Sequence, residues 1–223
     1  MHSYLGPIEK KFKLHSDKLK AKWMKGYLLN QFEFYGLQAP ERKLLCKEHY
    51  KQYRVKDLAE LESIVKECFG LPQREYQYFG IELFAFHKKL WKPSSIKTME
   101  HCLKQKSWWD SVDGIASEWL GPYFKMFPEQ VVPVTSKWNL SKNMWLQRSS
   151  IMFQKKLKKD MDTALLSKYI LNCVHSKEFF IQKAIGWALR EYSKTDPKWV
   201  IKFVKENKLA PLSEREALKR ISR

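Results

Sequence analysis

Apolar side chains recur at three- and four-residue intervals along nearly the whole of this 223-residue chain, and no run alternates with period two for long. A stripe at helical period is buried only against other elements that present a matching stripe, so the pattern predicts an all-α fold with short connections. The ends of the segments are legible too. Leu5, Ile8 and Phe12 give a first short helix its face. Ser16 and Asp17 are placed to cap a second, which carries Leu19, Trp23, Tyr27 and Leu28 and is followed by the breaker Gly36. Pro40 sits at a first helical position ahead of Leu44, Leu45 and Cys46. Asp57 caps a run of Leu58, Leu61, Ile64, Val65 and Cys68, which Gly70-Leu-Pro72 stops. Further helices are expected at 73–90, after Ser94 or Ser95, after Lys106, after Pro128, at 142–156, after Asp162, after Ser176 and from Asp196-Pro197. The last is assigned a capping box, Ser213 with Glu216 three residues on. Nothing resembles a linker, so a single domain over 1–223 is expected.

Repetition is faint but regular. An aromatic residue is followed four positions later by a small or β-branched one at Tyr76 and Gly80, Trp108 and Val112, Trp145 and Ser149, and Phe180 and Ala184. The steps between these aromatics are 32, 37 and 35 residues, close to the length of one helix pair in a solenoid, ~40 residues. Helices related in this way lie side by side and build an extended wall able to hold a long partner.

Composition says what kind of partner. Lys and Arg number 42 against 24 Asp and Glu, a formal charge of +18 with no separate basic tail to hold it. Such an excess points to a polyanion, with nucleic acid first. Cys46, Cys68, Cys102 and Cys173 are far apart and form no C-x-x-C pair, and the six histidines, His2, His15, His49, His87, His101 and His175, show no ligand spacing. Reduced, buried thiols and no metal or cofactor are therefore expected. The N-terminus lacks the apolar run of a signal peptide, and no stretch approaches the ~18 apolar residues of a membrane span. A cytoplasmic protein is expected, nucleoid-associated when bound to DNA and without a membrane partner.

One stretch brings tryptophan, carboxylate and helical pattern together: Lys106-Ser-Trp-Trp-Asp-Ser-Val-Asp-Gly-Ile-Ala-Ser-Glu-Trp119. At about 100° per residue Trp108, Val112, Ile115 and Trp119 form a core stripe, and Trp109, Asp113 and Ala116 a second strip rotated away from it. Trp109 and Asp113, four apart, are neighbours on the helix surface. Taken alone, the pair reads equally as a core tryptophan and a solvated acid. Farther along, Trp187 stands off the face formed by Ile181, Ile185, Ala188, Leu189 and Tyr192, between Lys183 and Arg190. Packing explains a tryptophan between two cations poorly. Trp109, Arg148 and Trp187 are separated by 39 residues each, which would place them on adjacent helices of one wall. The bland alternative keeps an arginine and two tryptophans as gap fillers between helices.

From these residues outward the sequence resembles the AlkD family of HEAT-like repeat DNA glycosylases, which remove alkylated purines. The matching stretches are Lys106-Ser-Trp-Trp-Asp-Ser-Val-Asp113, Trp145-Leu-Gln-Arg148, Ser176 through Gly186-Trp187 to Tyr192, and Leu209-Ala-Pro-Leu-Ser through Arg215-Glu-Ala217. The resemblance spans the chain and is weaker over the first 100 residues. It implies a right-handed solenoid of helix pairs with a concave DNA-binding face. It also implies a catalytic cleft of Trp109, Asp113 and Trp187, with Arg148 on DNA phosphate. In the N-terminal region the family uses a minor-groove helix with a tyrosine matching Tyr27, followed by a loop resembling Gly36-Leu-Gln38-Ala-Pro-Glu-Arg42. Paralogues without that helix can lack excision activity. Ala39 and Lys43 stand where a threonine and an arginine are expected. Gln38, Lys43, Lys156, Lys183 and Arg190 complete the expected DNA contacts, though the run Lys155-Lys156-x-Lys158-Lys159 reads equally as a solvated helix end.

The expected reaction is hydrolysis of the N-glycosidic bond of cationic alkylpurines, 3-methyladenine or 7-methylguanine, in duplex DNA. The enzyme would be monofunctional, metal-free and monomeric, and would act in base excision repair without deep base flipping. Two other classes remain open at this point. One is a non-catalytic repeat protein binding distorted or branched DNA; the other is a scaffold for an acidic protein.

Overall fold

The computed structural model describes residues 2–221, and these fold into helices joined by short turns. Among them no strand forms; one isolated bridge links Glu33 and Gln73. Internal packing divides the described chain into two compact units that meet in sequence between Lys106 and Ser107.

The first unit contains α1 (Gly6–Leu14), α2 (Lys18–Tyr27), α3 (Ala39–Gln52), α4 (Leu58–Gly70), α5 (Arg74–Phe86) and α6 (Ile96–Lys104). The segment expected at 73–90 is thus α5 followed by a 3-10 turn, Lys88–Leu90. Its core is the one the periodicity marks. Leu5, Ile8 and Phe12 are fully buried, as are Leu61, Ile64, Val65 and Cys68 of α4. Asp57 caps α4 by accepting the Glu60 N–H, and Asp17 caps α2 by accepting those of Leu19 and Lys20. Between α2 and α3 the chain turns through Gly36 at φ +97°, where a Cβ would lie 2.1 Å from the Asp17 carbonyl oxygen. The buried carboxylate of Glu75 accepts the N–H groups of Tyr35, Gly36 and Leu37 and holds that turn.

The face expected of α2 is a different matter. No residue of α2 is buried. Trp23 and Tyr27 are 63% and 60% exposed, their rings stacked on each other at 5.6 Å and 12°. Periodicity reports that a helix has an apolar face; it does not report what covers that face. Leu28, one residue past the helix, is buried.

The second unit contains α7 (Trp109–Ile115), α8 (Gly121–Met126), α9 (Val131–Asn139), α10 (Met144–Met152), α11 (Thr163–Cys173), α12 (Phe179–Tyr192), α13 (Pro197–Glu206) and α14 (Pro211–Leu218). A π-helical turn, Ala116–Leu120, separates α7 from α8. The aromatic repeat is realised here as a cluster. Trp108, Trp145 and Phe180 stand at or near the starts of α7, α10 and α12, with centroids 5.9 Å apart for Trp108 and Trp145 and 5.1 Å apart for each against Phe180. Each such pair adds about 0.5–1.5 kcal/mol beyond area burial, and together they fix the order of the three helices. Cys46, Cys68, Cys102 and Cys173 are free and buried, and burial pushes the Cys46 thiol up to about 12. Among the described residues no helix is long and apolar enough to cross a membrane.

The capping box expected at the last helix is corrected. α14 begins three residues earlier, at Pro211, whose missing N–H suits a first position. Ser213 Oγ donates instead to the Gln182 carbonyl at 2.9 Å, and the Glu216 carboxylate turns to α12. Tertiary partners displace the local ones that the four-residue pattern suggests.

His49 of α3 supplies a measurable consequence. Its ring is fully buried, stacked on Tyr53 at 4.5 Å and edge-on to Tyr4 at 4.7 Å, and neither ring nitrogen has a hydrogen-bond partner. Burial, aided by Lys11, pushes its pKa down to about 4 from 6.5. The native state therefore favours the neutral ring. Stability is complete above pH 6.5 and falls as pH drops toward 4, by about 3 kcal/mol over the interval. Chemical denaturation at a series of pH values should show this slope in the native protein and a flatter one in His49→Phe.

Candidate active site

The site is assembled from α7, α10 and α12 of the second unit. Each helix places its side chain for a local reason. Trp108 precedes α7 in extended conformation (φ −152°), so Trp109 opens the helix and Asp113 follows one turn on. The π-helical turn starts three residues after Asp113, a feature that often marks functional stretches of helix. Asn143 caps α10 by accepting the N–H groups of Trp145 and Leu146. This start places Arg148 on the side facing α7. Ser149 and Ser150 on the same helix donate to the carbonyls of Trp145 and Gln147, so their burial leaves no hydroxyl unmatched.

Arg148 joins the three helices. Its Nε donates to Asp113 Oδ1 at 2.8 Å and its Nη2 to Asp113 Oδ2 at 2.7 Å, a two-pronged ion pair. Its Nη1 donates to the Phe180 carbonyl of α12 at 2.5 Å. The Arg148 side chain is 1% exposed and that of Asp113 15%. The phosphate contact expected of Arg148 is therefore not one that this arrangement makes. The guanidinium is spent on a carboxylate and a carbonyl inside the unit, and it serves as the counter-ion of Asp113. The 39-residue spacing of Arg148 marks a shared wall but not the depth at which the side chain lies.

Trp187 lies beside this pair, with the Arg148 guanidinium 5.4 Å from its ring centre. Arg190, Lys183 and Lys155 bring charged groups to 5.7, 5.8 and 6.0 Å of the same ring. Indole faces favour cations by about 0.5–2 kcal/mol per contact. The Trp187 N–H donates to Glu216 Oε2 at 3.1 Å; Arg190 donates to the same oxygen and Lys183 to Oε1, each at 2.7 Å. The hydrogen bond from Lys183, with the charge of Arg190, holds the Glu216 carboxyl below the usual carboxylate range. Glu216 is absent from the sequence-derived site. One signal could have found it: a glycine inside α12, at 186, costs a helix about 1 kcal/mol against alanine and so marks a close neighbour.

The structure thus brings Asp113, Arg148, Trp187, Lys183 and Arg190 together, with Trp109 half-buried one turn before Asp113. Lys156 stands outside the group, exposed and paired with Glu118 at 2.6 Å. Tyr27, Gln38 and Lys43 belong to the first unit, where each is exposed, Tyr27 at the end of α2 and Gln38 just before α3.

Comparison with known proteins follows the same lines. A family model described as DNA alkylation repair enzyme matches residues 8–221. Among solved structures, one described as a predicted DNA alkylation repair enzyme from Enterococcus faecalis is 33% identical, with TM-score 0.87 over 93% of this chain and 97% of that one. AlkD2 from Streptococcus mutans is 17% identical, with TM-score 0.62 over 88% of this chain and 96% of that one. The protein smu.31 of Streptococcus mutans UA159 is 16% identical at the same TM-score, over 91% and 98% of the two chains. The last two show the helical-repeat fold alone. No functionally curated protein matches significantly. On the extent of the family match and the likeness to the Enterococcus protein, the chain belongs to the family of DNA alkylation repair enzymes.

Proposed function

We propose that this protein is a monofunctional DNA glycosylase that hydrolyses the N-glycosidic bond of cationic alkylpurines, 3-methyladenine and 7-methylguanine, in duplex DNA. The observation that carries the reading is the Asp113 carboxylate, partly accessible and gripped by a buried arginine whose guanidinium lies 5.4 Å from the Trp187 ring. Alkylation at N3 or N7 places positive charge on the purine. When the C1′–N bond breaks, its electron pair goes to the base, which leaves neutral, and C1′ becomes an oxocarbenium-like centre. A fixed carboxylate stabilises that charge and orients the water whose oxygen then bonds to C1′ while its proton is released. The leaving group carries its own charge, so the chemistry requires neither an acid to protonate it nor a deep pocket to recognise it. Trp109 and Trp187 would flank the sugar and the cationic nucleotide.

In this reading Arg148 acts through Asp113. It holds the carboxylate in place, and the phosphate contacts fall to Lys156, with Tyr27, Gln38 and Lys43 from the first unit, since the Lys183 and Arg190 expected among them are ion-paired to Glu216. The protein would work as a monomer and without a cofactor, in base excision repair.

Base release from methylated duplex DNA tests the proposal. Wild-type protein should free 3-methyladenine or 7-methylguanine, and Asp113→Asn should lose about a hundredfold or more in rate while still binding DNA. Unchanged release by that variant would remove Asp113 from the mechanism. Binding without release by the wild type would favour the non-catalytic DNA-binding reading. A second test concerns the ion pair. Arg148→Ala leaves Asp113 with an uncompensated charge and should destabilise the protein by about 3–5 kcal/mol in denaturant titrations. Adding Asp113→Ala to it should recover part of that loss, and a fully additive double variant would show the pair to be uncoupled.

A further inference from the structure

We propose that Glu216 of α14 is a positioning residue for this reaction: it fixes the Trp187 indole and cancels the charge of Lys183 and Arg190, leaving the ring to a cationic nucleotide. The inference deepens the glycosylase reading and rests on it.

Three observations lead there. First, one carboxylate collects three donors. Trp187 and Arg190 share Oε2, at 3.1 and 2.7 Å, and Lys183 takes Oε1 at 2.7 Å, on a side chain only 8% exposed. A tryptophan without its N–H bonded has several rotamers open to it. With the N–H held by α14, the nitrogen edge of Trp187 is committed and the rest of the ring has one orientation toward Arg148.

Second, the approach of α14 to α12 is built for this contact. A Cβ on Gly186 would lie 2.5 Å from Glu216 Cβ and 2.8 Å from the Ser213 carbonyl oxygen. Only glycine lets the helices come so close. Ser213, donating to the Gln182 carbonyl, sets the register one turn earlier. The residues at 182, 183, 186, 187 and 190 thus turn one continuous strip of α12 to a helix whose acid sits among them.

Third, the electrostatics demand an acid. Four cationic groups surround the Trp187 ring within 6.0 Å. Asp113 already neutralises Arg148. Without Glu216, two further uncompensated charges would repel a substrate that is itself a cation. The same two charges, once unmasked, would attract undamaged DNA phosphate. Glu216 therefore trades indiscriminate affinity for tolerance of a positive lesion, and its removal should move binding and catalysis in opposite directions. A residue that merely anchors α14 would move them together.

The experiment uses the full chain with two variants. Glu216→Gln keeps the size and an acceptor for the Trp187 N–H and removes the charge; Glu216→Ala removes both. Three readouts are taken: single-turnover release from a duplex carrying 7-methylguanine, affinity for an undamaged duplex against salt, and the fluorine NMR signal of 5-fluorotryptophan at 187, assigned by its loss in Trp187→Phe. For Glu216→Gln, release should slow about tenfold, undamaged DNA should bind several-fold tighter with a salt slope steeper by about 1, and the Trp187 signal should stay in place. For Glu216→Ala, the signal should also shift. Glu216→Gln that matches wild type in release and binding overturns the proposal. So does weakened binding accompanied by lowered thermal stability, which would make the residue an anchor only. If wild-type protein releases no base, the glycosylase reading falls by itself. Binding and the fluorine signal then judge Glu216: tighter binding and a displaced ring uphold its role, and no change in either ends it.

Discussion

A buried arginine with no route to water has to find its partners inside the protein, and the second unit is arranged around that requirement. Arg148 has three of its nitrogens committed, two to Asp113 on α7 and one to the Phe180 carbonyl on α12. An unmatched guanidinium at this depth would cost several kcal/mol, so the three helices cannot slide past one another without paying that penalty. The Trp108, Trp145 and Phe180 cluster binds the same helices apolarly near their starts. One contact supplies attraction without direction and the other supplies direction. Together they hold an acid and an indole in fixed relation at a site that remains partly open.

The acids of this chain are few and largely employed within the fold. Asp17, Asp57, Asp162 and Asp196 cap helices, Glu75 holds the turn before α3, and Asp113 and Glu216 lie against arginine and lysine. Among the described residues most lysines are exposed. The +18 charge of the sequence thereby becomes a property of the exterior, which suits a polyanionic partner. The same division explains the site. Where a cation must be silenced, an acid is brought to it from a different helix, as Asp113 is to Arg148 and Glu216 to Lys183 and Arg190.

What could be read in advance was whatever depends on one helix at a time. Asp17, Asp57, Asp162 and Asp196 cap helices that start as their patterns predict, because a cap bonds to N–H groups two or three residues away. The equal spacing of Trp109, Arg148 and Trp187 predicted neighbouring helices, and Arg148 does meet Trp187. The misplacements all involve a second surface. Leu19, Trp23 and Tyr27 were legible as a face and not as an uncovered one. Ser213 and Glu216 have the spacing of a capping box, yet both find stronger partners on α12. Arg148 is expected on DNA phosphate, since nothing in its own helix announces that Asp113 and the Phe180 carbonyl will bind it instead.

Sequence alone determined that this protein is helical, basic and repetitive in its aromatics, because periodicity, capping and charge are written in neighbouring residues. Only the tertiary structure decided that Arg148 is an internal counter-ion and that Glu216 belongs beside Trp187. Those assignments depend on how closely α10 approaches α7 and α14 approaches α12. Separations of that kind are set by packing between residues tens of positions apart, down to the single hydrogen atom that Gly186 has in place of a side chain.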